Sequence, residues 1–246
     1  MKPDATLFGK YIKTLADISS TVTSGKDLEE VLRLTMILTA KATGVEICSL
    51  WVIDEHSSPA KIQLKVSQAA DPEYMKTRCL NINEGVVGHV ASTSQTLIIK
   101  NILTEPRFKE KEMAKKLGLI SLASLPIRVK NGKTIGVLNC FTNEPHDFTE
   151  IEVNLLTAVA NQAAMAILNT DLLMKIAKLQ EDLENRKRVE RAKDILMRRR
   201  NMNGEEAFRW IQKRSMDSRR SMREVAEAVI LSEDLGYYSS IPHALK

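Results

Sequence analysis

Between Arg186 and Arg223 the chain places fourteen Lys or Arg residues against five Asp or Glu, a local net charge of +9. Guanidinium and ammonium groups at that density attract and hold phosphate, so the chemistry on offer is binding of a polyanion rather than bond making or breaking. The whole chain carries +5, so the remaining residues sum to −4. Such an asymmetry implies a basic effector joined to a mildly acidic module, and nucleic acid is the commonest partner of such an effector. A solvated helical surface shows the same run of charge, so charge alone does not choose between the two.

Other groups that could do chemistry are sparse. Cys48, Cys79 and Cys140 are odd in number and widely spaced, with no CxxC, which fits neither a disulfide framework nor a zinc site. They are expected as small core or near-core residues. His56, His89, His146 and His243 are scattered, none within four residues of another His or a Cys, so no metal is expected. Gly132-Lys133-Thr134 ends like a phosphate-binding loop, but the first glycine of that pattern would fall on Ile127. The Asn131-Gly132 pair instead predicts a tight hairpin turn, its two residues at positive φ. No GxSxG is present to support a serine hydrolase.

These residues must be positioned by elements that the hydrophobic pattern makes visible. With 246 residues and 43% hydrophobic composition, the chain can bury a core in one or two domains. No run approaches the ~18 consecutive apolar residues of a membrane helix. The start, MKPDATLFGK, lacks a signal peptide's apolar core, so a cytoplasmic protein without a membrane partner is expected. The first 44 residues read as two helices separated by Thr23-Ser24-Gly25, the second carrying Leu28, Val31, Leu32, Leu34 and Leu38 and stopped by Gly44. EICSLWVID and KIQLKVSQAA read as antiparallel strands, NEGVVGHVA as a short helix after a glycine turn, and Pro106 to Lys116 as another helix. Strands around the Asn-Gly turn and a long helix from about Thr149 complete an α+β domain.

The blocks NEGVVGHVASTSQTLIIKNILTEPRF and GLISLASLPIRVKNGKTIGVLNCFTNEPHDFTEIE, followed by a helix with NQAAMAILN, resemble the GAF domain, a small-molecule-sensing relative of the PAS fold. The resemblance covers roughly residues 10 to 170 and implies a PAS-like antiparallel sheet with helices. It implies a possible small-molecule effector but does not name one, since GAF domains take cyclic nucleotides, bilins, haem, small metabolites or nothing. Asn143, Phe148 and Glu150 only loosely echo the NKFDE signature of cyclic-nucleotide binders, which disfavours that class. His89 is the candidate haem ligand, but a lone histidine in a short helix is more often a capping or surface group. One GAF branch reduces free methionine sulfoxide with paired cysteines. Here the cysteines stand 31 and 61 residues apart with no two clustered, against that enzymatic alternative.

From Ala166 to Gly204 the chain has no interior Gly or Pro, so one helix can run from the sensor into the basic segment. Leu172, Ile176, Leu179 and Leu183 follow a 4-3-4 spacing, a coiled-coil seam that predicts a parallel homodimer. The heptad then fades at Arg186 and Glu190, and Val189, Ala192 and Leu196 begin a displaced stripe. Asn203 with Glu206, and Ser221 with Glu224, signal two further helix starts. Ala207, Phe208, Ile211 and Ser215 form the first stripe; Met222, Val225, Ala226, Val229 and Ile230 form the second.

Leu183, Arg186, Val189, Ala192-Lys193, Ile195-Leu196-Met197, Glu206-Ala207-Phe208, Ile211, Met216, Val225-Ala226 and Val229 resemble the pattern of the ANTAR family of RNA-binding antitermination domains over about residues 176 to 232. Asp194 departs from the family's usual Gly, and Ser215 from its usual Ala. The resemblance implies an all-α three-helix bundle that recognises paired RNA stem-loops with short loops in nascent leader transcripts, so that the terminator hairpin cannot form. Lys193, at the edge of the apolar stripe, is expected to point to solvent beside small Ala192, where RNA can approach closely. Arg186 lies two turns earlier on the same broad face, and Arg214 is expected to converge with Lys193. Arg198, Arg199, Arg200, Arg219 and Arg220 are expected to add long-range attraction.

The reading is thus a GAF sensor (1–170), a coiled-coil connector (171–185), an ANTAR RNA-binding domain (186–236) and a tail (237–246), in a bacterial, non-enzymatic, ligand-responsive antiterminator. A DNA-binding regulator is the alternative, but the bundle lacks a helix-turn-helix recognition helix with base-reading polar residues at its start. The methionine sulfoxide reductase is a weaker alternative.

Overall fold

A computed structural model describes residues 5–54, 57–69 and 78–235. His56, His243 and the tail 237–246 lie outside the described residues. The chain divides into two compact units, Met1–Asp171 and Leu172–Lys246.

The first unit begins with α1 (Ala5–Val22) and α2 (Leu28–Thr43). The Asp27 carboxylate accepts the Glu30 N–H at the start of α2, and Gly44 ends it in the left-handed region at φ 75°. The strands are β1 (Ile47–Asp54), β2 (Lys61–Ser67), β3 (Cys79–Asn81), β4 (Leu97–Ile99), β5 (Ser121–Arg128) and β6 (Thr134–Thr142). They form one antiparallel sheet in the order β3-β2-β1-β6-β5-β4. Two short helices, α3 (Gly85–Thr93) and α4 (Lys111–Lys116), lie between the strands in sequence. The fold is therefore the expected α+β sheet with helices, although α4 is shorter than the charged stretch suggested.

Alternation along the central strands divides their side chains between two cores. Cys48, Leu50, Leu125, Leu138 and Cys140 pack with Val31, Leu32 and Met36 of α2 and with Leu156, Val159, Ala160 and Ala163 of the long helix. Trp51, Ile62, Leu64 and Val137 face the other way, against Val87, Val90 and Ala91 of α3. Gly88 is needed for this approach, because a Cβ there would come within 2.6 Å of the Asn81 carbonyl oxygen.

The hairpin between β5 and β6 is wider than the Asn-Gly pair suggested. Val129 N–H donates to the Lys133 carbonyl and Gly132 N–H to the Val129 carbonyl, leaving three residues in the loop. Only Gly132, at φ 81°, is left-handed there; Asn131 is not. Its side chain instead accepts the Lys133 N–H at 3.1 Å, which stabilises the wider turn.

The long helix α5 (Glu150–Arg200) has 51 residues and enters the second unit unbroken. One stretch is long and apolar enough to cross a membrane by composition, yet its Leu155, Leu156, Val159, Ala160 and Ala163 are buried within the first unit.

In the second unit the end of α5 joins α6 (Gly204–Ser218) and α7 (Met222–Asp234) in a three-helix bundle. Both expected helix starts are complete capping boxes, Asn203 with Glu206 and Ser221 with Glu224. Ala192, Ile195, Leu196, Ala207, Ile211, Val225, Ala226 and Val229 form the core. The α6 stripe is rotated from its expected position: Phe208 is 40% exposed, and Trp210 packs against the core instead. The seam residues Leu172, Ile176, Leu179 and Leu183 are each at least half exposed in the single chain.

Candidate nucleic-acid interface

The three-helix bundle sorts its cations into two classes. Along the α5–α7 flank, Arg188 pairs with Glu227 at 3.0 Å, Arg191 with Asp234 at 3.6 Å and Arg199 with Glu233 at 2.7 Å. Arg223 meets the same Glu227 at 3.0 Å. These acids neutralise much of the positive charge on that side. Elsewhere Lys187 pairs with Glu184, Arg209 with Glu205 and Lys193 with Glu190.

The other seven cations of the basic segment, Arg186, Arg198, Arg200, Lys213, Arg214, Arg219 and Arg220, have no carboxylate partner among the described residues. Two of them, Arg200 at the end of α5 and Arg214 on α6, meet at Trp210. The Arg200 guanidinium lies 4.8 Å from the Trp210 ring centre and that of Arg214 lies 5.5 Å from it. Arg186 borders a groove shared with Val189, Glu190, Phe208 and Met222. Arg186, Lys193 and Arg200 recur every seven residues, two helical turns, so they share one side of α5. Arg198 sits on α5 with its Nε donating to the Asp194 carbonyl at 3.4 Å.

Arg219 and Arg220 form the turn between α6 and α7. Arg219 is left-handed at φ 53°, a position that helix ends usually give to glycine. The Ser215 hydroxyl donates to the Arg220 carbonyl at 2.6 Å, and the Arg220 N–H donates to the Ser215 carbonyl at 3.1 Å. The hydroxyl that distinguishes Ser215 from alanine thus closes the turn presenting two arginines. Arg220 itself borders the α5–α7 groove beside Arg188 and Arg191.

Several expected placements change. Lys193 does not stand free in solvent: its side chain is only 19% exposed, and its ammonium donates to Glu190 Oε2 at 2.8 Å. Ala192 is wholly buried in the bundle core, so it serves packing and offers no surface. Arg214 lies against Trp210, and Lys193 is tied to Glu190. Arg199 is occupied by Glu233. The sequence reading missed Trp210, whose signal was an aromatic residue four positions before Arg214 on a helix.

In the first unit, a cavity of about 40 Å³ lies against the sheet, bordered by Ser49, Trp51, Val86, Phe108, Asn139 and Phe141. That is room for a water or two, far below the ~300 Å³ of an ordinary ligand site. The Trp51 Nε1–H is buried, with no hydrogen-bond partner among the described residues. Lys109 borders the same cavity and donates to Glu84 Oε1 at 2.7 Å. With Asn81 also donating to it, Glu84 is held well below the usual carboxylate range, at about 2. His89 is not among the lining residues.

Cys48 and Cys140 are brought together, contrary to the reading that no two cysteines cluster. They face each other across β1 and β6 with their sulfurs 3.6 Å apart. Both lie in the core under α2 and α5, on the face opposite the cavity. The hydrogen bond to Cys48, reinforced by burial, holds the Cys140 thiol well above its ordinary pKa, the reverse of an activated thiolate. Cys79 is exposed on β3, away from the pair in the sheet order.

Comparison with known proteins agrees with this division of the chain. The GAF domain family matches residues 27–167 and the ANTAR domain family residues 177–230. Over 67 residues the chain is 48% identical to the transcriptional regulatory protein PdtaR of Mycobacterium tuberculosis, a match spanning 27% of this chain and 32% of that relative. The chain thus covers about a third of the length of that regulator. The GAF domain of an Acinetobacter phosphoenolpyruvate-protein phosphotransferase superposes with a TM-score of 0.58 at 24% identity, covering 67% of this chain and 97% of that one. Free methionine-R-sulfoxide reductase from Neisseria meningitidis superposes with a TM-score of 0.53 at 19% identity, covering 63% of this chain and 87% of that one. Both likenesses concern the fold.

Proposed function

The chain belongs to the GAF domain family and carries an ANTAR domain behind that sensor, and from this premise we propose that it is a ligand-responsive, RNA-binding transcription antiterminator. Its architecture is that of a transcriptional regulator. The finer reading is that a homodimer, joined along Leu172, Ile176, Leu179 and Leu183, binds paired stem-loops with short loops in nascent leader RNA. Holding those stems prevents the overlapping terminator from forming. The work is binding, in the cytoplasm where the transcript emerges, and it calls for no catalysis.

The observation that carries this reading is the meeting of Arg200 and Arg214 at Trp210, neither with a carboxylate partner among the described residues, while acids occupy the α5–α7 flank. Backbone phosphates attract such cations, and hairpin loops offer unstacked bases to a compact surface. In the sensor, a small-molecule effector has to open the narrow cavity beside Trp51, and the tie between Lys109 and Glu84 is the contact such opening would strain. A change in dimer geometry along α5 then alters RNA affinity by linkage.

The test is a binding titration at one moderate salt concentration. A two-hairpin RNA should bind much more tightly than duplex DNA of equal length, because the charge term is shared and only RNA presents loops. Equal affinity for both would remove the RNA reading and favour the DNA-binding alternative.

A further inference from the structure

We propose that Trp210, with the guanidinium groups of Arg200 and Arg214, forms a stacking platform for an unpaired base of an RNA loop. This rests on the RNA reading above and goes further, because it assigns to one aromatic residue the distinction between loop and duplex.

Two cations approach the same ring from different elements, Arg200 from the end of α5 and Arg214 from one turn further along α6. Trp210 is half-buried, its indole packed against the bundle core on one side, so its position is fixed before any ligand arrives. Both arginines are exposed and lack carboxylate partners among the described residues, whereas Arg199, beside Arg200 in sequence, is held by Glu233. The sequence therefore places its planar cations at an aromatic ring on one side and at acids on the other.

An indole flanked by guanidinium planes can accept a nucleobase face, either against the ring or against a guanidinium layered on it. Phosphates beside that base meet the same positive charge. Inside a duplex both faces of each base are already stacked, so away from its two end pairs a blunt double helix offers the platform only its charge. Lysine at either position would keep the charge and lose the plane.

The experiment uses the full chain, a synthetic RNA of two hairpins with short loops, and a blunt RNA duplex of the same stems, with affinities read by fluorescence anisotropy at fixed salt. Trp210→Leu should weaken hairpin binding by about ten-fold to a hundred-fold while leaving duplex binding unchanged. Trp210→Phe should recover most of the loss. Arg214→Lys, at an exposed position outside the core, should weaken hairpin binding in the same direction without changing the duplex. Tryptophan emission provides an independent readout: loop RNA should quench a component that Trp210→Phe protein lacks, leaving the contribution of Trp51. Unchanged hairpin affinity in both Trp210→Leu and Arg214→Lys proteins would overturn the platform, as would equal losses on hairpin and duplex. A wild-type protein that binds hairpin and duplex equally would overturn the RNA reading itself, a result distinct from a failure confined to the variants.

Discussion

The two sides of α5 in the basic bundle carry similar residues and behave differently. Arg188, Arg191 and Arg199 reach acids of α7, so their charge is spent within the fold. Arg186 and Arg200 have no carboxylate partner among the described residues, and Arg214 joins Arg200 at Trp210. A local charge of +9 therefore overstates the surface presented to an anion, and the placement of the six carboxylates named above decides which cations remain open.

If only the side toward α6 engages RNA, a dimer brings two such surfaces to one transcript, and separating the protomers gives the largest expected effect. Ile176→Lys with Leu179→Lys puts like charges across the seam. Light scattering should show a monomer that binds one hairpin normally but loses roughly a hundred-fold of its advantage on the tandem RNA. An unaltered tandem preference in a proven monomer would rule out the dimeric mechanism.

Lys193 allows a sharper comparison, because it stands between Arg186 and Arg200 on the same side yet is tied to Glu190. Glu190→Gln should release it and strengthen hairpin binding by about two- to five-fold, the scale of one surface ion pair. No change on titration would place Lys193 outside the interface. At the turn, Arg219→Gly should relieve the left-handed strain, about 1 kcal/mol, and raise the melting temperature while lowering RNA affinity by about two-fold. A melting temperature that falls would show that Arg219 has a structural role.

The smallest effect concerns the acids that build the bundle. Glu224 sits below the usual carboxylate range because it accepts the Ser221 backbone N–H, and then the Ser221 hydroxyl, in the capping box. Its contribution to stability is present above the ordinary carboxylate pKa of about 4.5 and is lost as pH falls through its depressed folded value. Melting curves should be flat in this contribution near neutrality and decline below that range, and Glu224→Gln should reduce the decline. An undiminished acid transition in the variant would assign it to other carboxylates.

Much of this architecture was legible because local signals agreed with the fold. The two capping boxes, the Gly44 stop and the Ala192–Leu196 stripe each follow from residue type and period. Other features needed the tertiary structure. Phe208 and Trp210 lie on opposite sides of the Ala207–Ile211 line at ~100° per residue, so periodicity favours neither. The approach of Arg200 from another helix marks Trp210 out. Cys48 and Cys140 are 92 residues apart and meet only through the register of β1 on β6. The Glu190–Lys193 pair, in contrast, has an i,i+3 spacing that the sequence already displayed.

The most direct test of the central claim removes equal charge from the Trp210 site and from the α5–α7 flank. Arg200→Gln with Arg214→Gln, and Arg188→Gln with Arg191→Gln, should be titrated with the same two-hairpin RNA over a range of salt. The account predicts that the first pair loses about ten-fold or more in affinity and flattens the salt dependence, while the second stays within about two-fold of the unaltered protein. Equal losses in the two variants would contradict it.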